Sequence, residues 1–147
     1  MNIGEVCSRD VCIVTSAEPL GDAVAEMQKH HVGALVVIER RQDQVRPIGI
    51  ITDRDVIRSQ VVEKKGLSRL TVADAMTAHL LTLPESCGIA EAIGQMSTRG
   101  VRRAPVVNDS GDLVGVVSFD DLLPVVSEQL NVLAKLISDQ PRRESGG

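Results

Sequence analysis

Two short runs in this sequence set a carboxylate three positions after a hydroxyl: Thr52-Asp-Arg-Asp55 and Ser118-Phe-Asp-Asp121. Such a pair has a local use. The hydroxyl caps a helix and the acid answers from its first turn, a capping-box variant worth about 0.5–2 kcal/mol. The acid also suits the positive end of the helix dipole. The pair has a second use in recognition. Each run follows an apolar stretch with a central glycine, Ile48-Gly-Ile-Ile51 or Val114-Gly-Val-Val117. The hydroxyl therefore opens at the end of a buried strand, where ligands gather in α/β arrangements. A carboxylate accepts two hydrogen bonds from a diol at once, and a helix start suits an anion. The two uses are compatible, and spacing alone does not separate them. Arg102-Arg103, at a strand entrance, is similarly double: charges that discourage edge pairing, or cations for an anionic group.

Other chemistry finds little support. The sequence holds no Gly-x-Ser-x-Gly elbow, P-loop, Gly-x-Gly-x-x-Gly or His-Glu-x-x-His, and Asp53, Asp55, Asp120 and Asp121 stand at helix starts without a neighbouring nucleophile. The expectation is a protein that is not an enzyme. His30-His31 cannot share a helix face, and His79 has no acid or thiol at ligand spacing, so no metal and no resident cofactor are expected. Histidines at a helix C-terminus suit the dipole instead. Cys7, Cys12 and Cys87 are odd in number and form no disulfide or zinc pattern, which reads as reduced thiols in the cytoplasm. The start of the chain has no basic, apolar leader, and its longest apolar run, Ala34 to Ile38, is far too short for a bilayer. Phe119 is the single aromatic residue and the formal charge is -4. Neither stacking platform nor basic field is present, so nucleic acid is not an expected partner.

The elements that must position these residues are written twice. Leu20, Ala23, Val24 and Met27 return with the same spacing as Ile89, Ala92, Ile93 and Met96. Each set has the pattern of a buried helix stripe, which places both methionines in a core. An apolar strand follows, Ala34-Leu-Val-Val-Ile38 or Ala104-Pro-Val-Val107, then a polar turn (Glu39 to Pro47, or Asn108 to Asp112). The chain returns as the glycine-containing strand, and the hydroxyl–acid pair opens a second helix. The offset that carries Leu20 to Ile89 shortens after the turn, where Thr52 answers to Ser118, because the first copy has the longer turn. Residues 1–12 read as a short helix or strand lead-in, Glu63 to Arg69 as a charged linker, and Thr71-Val-Ala-Asp74 as an N-cap with its first turn. From Asp121 to Asp139 an amphipathic helix is expected, with Leu123, Val126, Leu130, Leu133 and Ile137 on one face and Pro124 in its first turn. A half of about 60 residues would be marginal alone, so the two copies are expected to share one cooperative unit.

The order strand, helix, strand, strand, helix, each copy closing in Gly-apolar-apolar-Thr/Ser-x-x-Asp, resembles the CBS-domain pair. Gly49-Ile-Ile-Thr-Asp-Arg-Asp55, Gly115-Val-Val-Ser-Phe-Asp-Asp121, Val101-Arg-Arg-Ala-Pro-Val-Val107 and Ala75-Met76-Thr77 carry the resemblance, over about residues 4–125. It implies an α+β fold of two tandem β-α-β-β-α repeats about a pseudo-twofold axis. Residues 1–66 would be the first repeat with its lead-in, 67–139 the second with the C-terminal helix, and 140–147 a disordered tail. It also implies clefts for an adenosine-containing ligand such as AMP, ADP, ATP, S-adenosylmethionine or NAD. Asp55 and Asp121 would hold ribose, Thr52 and Ser118 ribose or phosphate, and Arg102 and Arg103 phosphate, with Ala34 and Ala104 near the base. The module would be regulatory, a homodimer through its helices, acting on a partner protein that the sequence does not identify. The alternative is a structural interaction module of the same fold without a ligand. Gly33-Ala34 against Arg102-Arg103, and Val36 against Pro105, predict clefts of unequal strength, the stronger built mainly from the second copy.

Overall fold

The computed structural model describes residues 1–78 and 80–146, with side chains described through 139. His79 and Gly147 lie outside the described residues. The first copy runs β1 (Ile13–Thr15), α1 (Leu20–His30), β2 (Ala34–Arg41), β3 (Gln44–Thr52) and α2 (Asp53–Glu63). A short α3 (Val72–Ala75) leads into the second copy: β4 (Leu83–Pro84), α4 (Ile89–Arg99), β5 (Arg103–Val107), β6 (Leu113–Ser118) and α5 (Phe119–Gly146). Each copy forms a three-stranded sheet in chain order, with its first strand parallel and its third antiparallel to the middle one.

Alternation along each middle strand divides its side chains between two faces. Leu35 and Val37 belong to a core with Leu20, Ala23 and Met27 of α1. In the second half Ala104 and Val106 share a core with Ile89, Ala92 and Met96 of α4. Val36, Ile38 and Pro105 are also buried although they alternate with those core positions. The hairpin of the first copy is longer and tighter than expected: β2 reaches Arg41 and β3 begins at Gln44, leaving two residues for the turn. Pro47 is accommodated where the register shifts beside Ile38, since a proline cannot donate to a regular ladder. The turns of the two copies meet, with the Val45 N–H donating to Asp112 Oδ1 at 3.1 Å.

The connecting pieces decide how the halves are completed. A 3-10 turn, Ile3–Glu5, is capped by Asn2 and answered by Glu5; α3 is capped by Thr71 and answered by Asp74. The two turns occupy equivalent places. Ile3 N–H donates to the Cys87 carbonyl and Val72 N–H to the Glu18 carbonyl, both at 2.9 Å. Ile3 sits in the core of the second half, whereas Leu70 and Val72 sit in the core of the first. The first half is thus closed by the segment that follows it, and the second by the start of the chain. After each turn the chain crosses the outer edge of a sheet, Ser8 bridging Val116 and Thr77 bridging Ile50. The glycine of each closing strand permits this crossing. A Cβ at Gly49 would lie 2.8 Å from the Thr77 carbonyl oxygen, and one at Gly115 2.7 Å from Cys7 Sγ and the Ser8 carbonyl oxygen.

Helix α5 differs from expectation at both ends. It starts at Phe119, so Pro124 falls in the second turn rather than the first, and the Asp120 carbonyl loses its helical donor. Its backbone remains helical through Gly146, past the boundary at 139 that composition suggests.

Candidate functional site

Each hydroxyl–acid pair begins as a cap. The Asp55 N–H donates to Thr52 Oγ1 at 3.2 Å, and the Thr52 N–H donates to Asp55 Oδ2 at 2.9 Å. The second copy repeats this at 3.3 and 2.9 Å, and the Ser118 hydroxyl adds a bond to Asp121 Oδ2 at 3.1 Å. Capping occupies one oxygen of each carboxylate. Asp55 Oδ1 lies 3.8 Å from Arg58 NH1, a loose pair whose guanidinium is exposed, and Oδ1 of Asp121 takes no part in its cap. Asp55 is only 8% exposed, so the cap fixes its carboxylate against the sheet end rather than in open solvent.

Both pairs face cavities between the halves. The first, of about 350 Å³, has Ser118 and Asp121 on one wall and Cys12, Ala34 and Val36 on the other. The second, of about 550 Å³, sets Thr52 and Asp55 across from Val101, Arg102 and Arg103. Crossing segments contribute to each: Ser8, Val11 and Cys12 in the first cleft, Thr77, Leu80 and Leu81 in the second. These are equivalent positions of the repeat, separated by the same offset as Leu20 and Ile89. Extending that offset back ahead of β1 would have found them. Asp10 and Asp120 in the first cleft, and Arg54 in the second, are further wall residues that motif matching passes over.

The structure therefore brings Thr52, Asp55 and Arg102 together in one cleft and Ala34, Ser118 and Asp121 in the other, while Arg103 lines both. Ala104 lines neither. Its side chain is fully buried in the core of the second half, because the helix offset makes it the equivalent of Leu35; the equivalent of Ala34 is Arg103. Arg102 and Arg103 of the second copy line the same cleft as Thr52 and Asp55 of the first, so each cleft draws on both copies.

The remaining titratable groups have structural places. His30 Nε2 lies 3.1 Å from Glu26 Oε2 in the last turn of α1, and His31 takes the left-handed C-cap position. The His, Cys, Asp and Glu side chains among the described residues form no metal-binding cluster. Cys7, Cys12 and Cys87 are free, and burial pushes each thiol pKa up. They are consequently poor nucleophiles near neutrality. Among the described residues no helix is long and apolar enough to cross a membrane.

The family description "CBS domain" matches residues 3–62 and 72–128. An uncharacterized protein of Methanopyrus kandleri, MK0525, is 33% identical over 125 residues, covering 85% of this chain and 62% of that protein. The mitochondrial CBS domain-containing protein CBSX3 of Arabidopsis thaliana is 34% identical over 83% of this chain and 60% of its own length. The chain thus spans about three fifths of each of these relatives. Similarity to an inosine-5'-monophosphate dehydrogenase of Methanocaldococcus jannaschii takes in only 22% of that enzyme. Among solved structures, the CBS domain pair of protein MJ0100, in complex with 5-methylthioadenosine and S-adenosyl-L-methionine, superposes with a TM-score of 0.73 at 22% identity, covering 88% of this chain and 98% of that one. CBSX2 in complex with AMP superposes with a TM-score of 0.70 at 20% identity, covering 86% and 96%.

Proposed function

We propose that this chain, which belongs to the CBS-domain family, is a regulatory module that binds adenosine-containing ligands in its two interdomain clefts. The observation that carries this reading is the placement of both hydroxyl–acid pairs in walls of cavities shared by the two halves. Each cap holds one carboxylate oxygen and leaves the other for the two hydroxyls of a ribose. Thr52 and Ser118 sit where they can meet ribose or phosphate, and Arg102 and Arg103 supply cations. The described lining residues are non-aromatic, so an adenine ring would pack between aliphatic side chains, Val36, Ile50 and Val116 in one cleft and Ile50, Leu80 and Val101 in the other, and use backbone groups of the strands. Ligands of this chemistry occupy two proteins of the same fold, one with AMP and one with 5-methylthioadenosine and S-adenosyl-L-methionine. The candidates for this chain are AMP, ADP, ATP, S-adenosylmethionine and NAD.

The action is a shift in conformation, not a reaction. A ligand in either cleft touches both halves and a segment that crosses between them, so it favours one relative placement of the halves. It alters the surface offered to a regulated partner by its difference in affinity for the two arrangements. We further propose that the protein is a cytoplasmic homodimer. Leu123, Val126, Leu130, Leu133 and Ile137 recur at alternating steps of three and four along α5, the spacing that brings two helices together. Leu130 is 61% exposed and Ile137 63% in the single chain, surface that a second copy would cover.

A thermal-shift panel of the five ligands tests the binding reading. A ligand at 100 times its dissociation constant adds about 2.7 kcal/mol of stability. Asp55→Ala and Asp121→Ala should each weaken binding in their own cleft by about 1–3 kcal/mol. No shift with any ligand, in folded protein stripped of bound nucleotide, would instead favour the ligand-free interaction module, with the hydroxyl–acid pairs serving only as caps.

A further inference from the structure

The two clefts are matched in position but opposite in charge. Among the described residues, the charged wall residues of the Thr52 cleft are Asp53, Arg54, Asp55, Arg102 and Arg103, so guanidinium groups outnumber carboxylates. In the Ser118 cleft they are Asp10, Arg103, Asp120 and Asp121, three carboxylates against one guanidinium. The contrast is sharpest at equivalent places. Arg54 and Asp120 occupy the same position of the closing motif, two residues after the hydroxyl, and carry opposite charges. Where the Thr52 cleft has Arg102, the equivalent residue facing the Ser118 cleft is Gly33. Arg9, close to Asp10 in sequence, does not redress the balance, because its guanidinium is held by the Gly4 carbonyl at 2.8 Å and by Glu85 at 3.5 Å.

We infer that the clefts sort ligands by charge: the Thr52 cleft takes a nucleoside phosphate, and the Ser118 cleft a nucleoside bearing a neutral or cationic 5' substituent. This rests on reading both clefts as nucleoside sites and adds what each discriminates. A phosphate monoester carries about -1.5 to -2 charge at pH 7. Facing Arg54, Arg102 and Arg103 it gains charge-assisted hydrogen bonds. Facing Asp10, Asp120 and Asp121 it meets like charge in a partly enclosed space, where water screens less than at a free surface. A sulfonium substituent reverses both effects. Arg103 lines both clefts and so does not itself discriminate. Discrimination falls to Arg54 and Arg102 on one side and to Asp10 and Asp120 on the other.

Arg102 and Asp120 are exposed, so charge reversal at either leaves the cores untouched. Calorimetric titration of the full chain with AMP and with S-adenosylmethionine, in Arg102→Glu and Asp120→Arg, is the test. AMP should fill one site per chain, weaken tenfold or more in Arg102→Glu, and gain a second site in Asp120→Arg. S-adenosylmethionine should keep its affinity in Arg102→Glu and lose tenfold or more in Asp120→Arg. AMP filling both clefts of the unaltered chain equally, or affinities indifferent to both reversals, would overturn charge sorting and leave the nucleoside sites standing. Binding of neither ligand to any of the three proteins would overturn the nucleoside reading together with it.

Discussion

The two halves of this molecule are built from the same elements but closed from different directions. The first half is completed by α3, which follows it directly, so Leu70 and Val72 enter a core whose other members have just been made. The second half is completed by Ile3, which precedes the whole of the first half in sequence and packs in a core with Leu83 and Ile89. Both contacts are long-range in sequence: Val72 reaches back to Glu18 within the first copy, whereas Ile3 reaches forward across the whole first copy to Cys87. The N-terminal turn is therefore a structural part of the second half, and the segment running from it to β1 forms one side of the Ser118 cleft. Repeats that look independent in sequence become one body because their lead-ins are placed in this way.

The largest effect expected is at that long-range contact. Ile3→Ala empties a fully buried position and should cost about 2–5 kcal/mol. Val72→Ala, which removes less volume at the equivalent position of the first half, should cost less. Chemical denaturation checks both. If the halves are one cooperative unit, each variant unfolds in a single transition; a second transition in Ile3→Ala would mean that the halves are independent.

The crossing segments come next. Gly49→Ala and Gly115→Ala each force a methyl group against backbone at 2.8 and 2.7 Å, and overpacking of this kind costs about 1–3 kcal/mol. The two should behave alike, since they do the same work in the two halves. A tolerated alanine at only one position, measured by thermal unfolding, would show that one sheet edge is free to open.

Smaller differences separate the paired helices. Copy two has Gly94 where copy one has Ala25, and copy one has His31 where copy two has Gly100. Nothing lies within 4 Å of a Cβ built at Gly94, so Gly94→Ala should raise stability by up to about 1 kcal/mol. His31 holds a φ of 54°, a conformation that favours glycine, and His31→Gly should likewise stabilise by up to about 1 kcal/mol. Melting temperatures that fall in either variant would contradict the proposed equivalence of the helices.

The smallest effect is one of pH. Hydrogen bonds from the Thr71 backbone and hydroxyl hold the Asp74 pKa below its ordinary value. A lowered folded-state pKa contributes stability that is present above the unfolded value and lost as pH falls through the folded one. Below about pH 4, the usual range for aspartate, the α3 cap should weaken. Amide exchange at Asp74, whose N–H bonds back to the Thr71 carbonyl at 3.1 Å, should then speed up. In Asp74→Asn that acid dependence should vanish, and its persistence would place the effect elsewhere.

Much of the fold is legible in sequence because helix stripes, strand alternation and capping pairs are local patterns. The repeat offset adds the correspondence of elements between the copies, although the first hairpin is longer and tighter than its polar residues suggest. What escapes is nonlocal. No pattern in residues 1–8 says which sheet they will cross. Likeness to Ala34 draws Ala104 toward a ligand, whereas the register sets it opposite Val117 inside the core. Arg102 and Arg103 read as cations from sequence, but their alignment across from Thr52 and Asp55 arises only when the two halves pack. Which residues share a cleft is likewise set by packing, since each cleft takes its hydroxyl–acid pair from one copy and much of its facing wall from the other.

A crystal structure grown with AMP would show which cleft, if either, holds the nucleotide. AMP is expected between the halves in the larger cleft, its ribose hydroxyls on Asp55 and its phosphate facing Arg102. AMP seated against Asp121 alone, or clefts left empty by a nucleotide bound elsewhere on the surface, would contradict this placement.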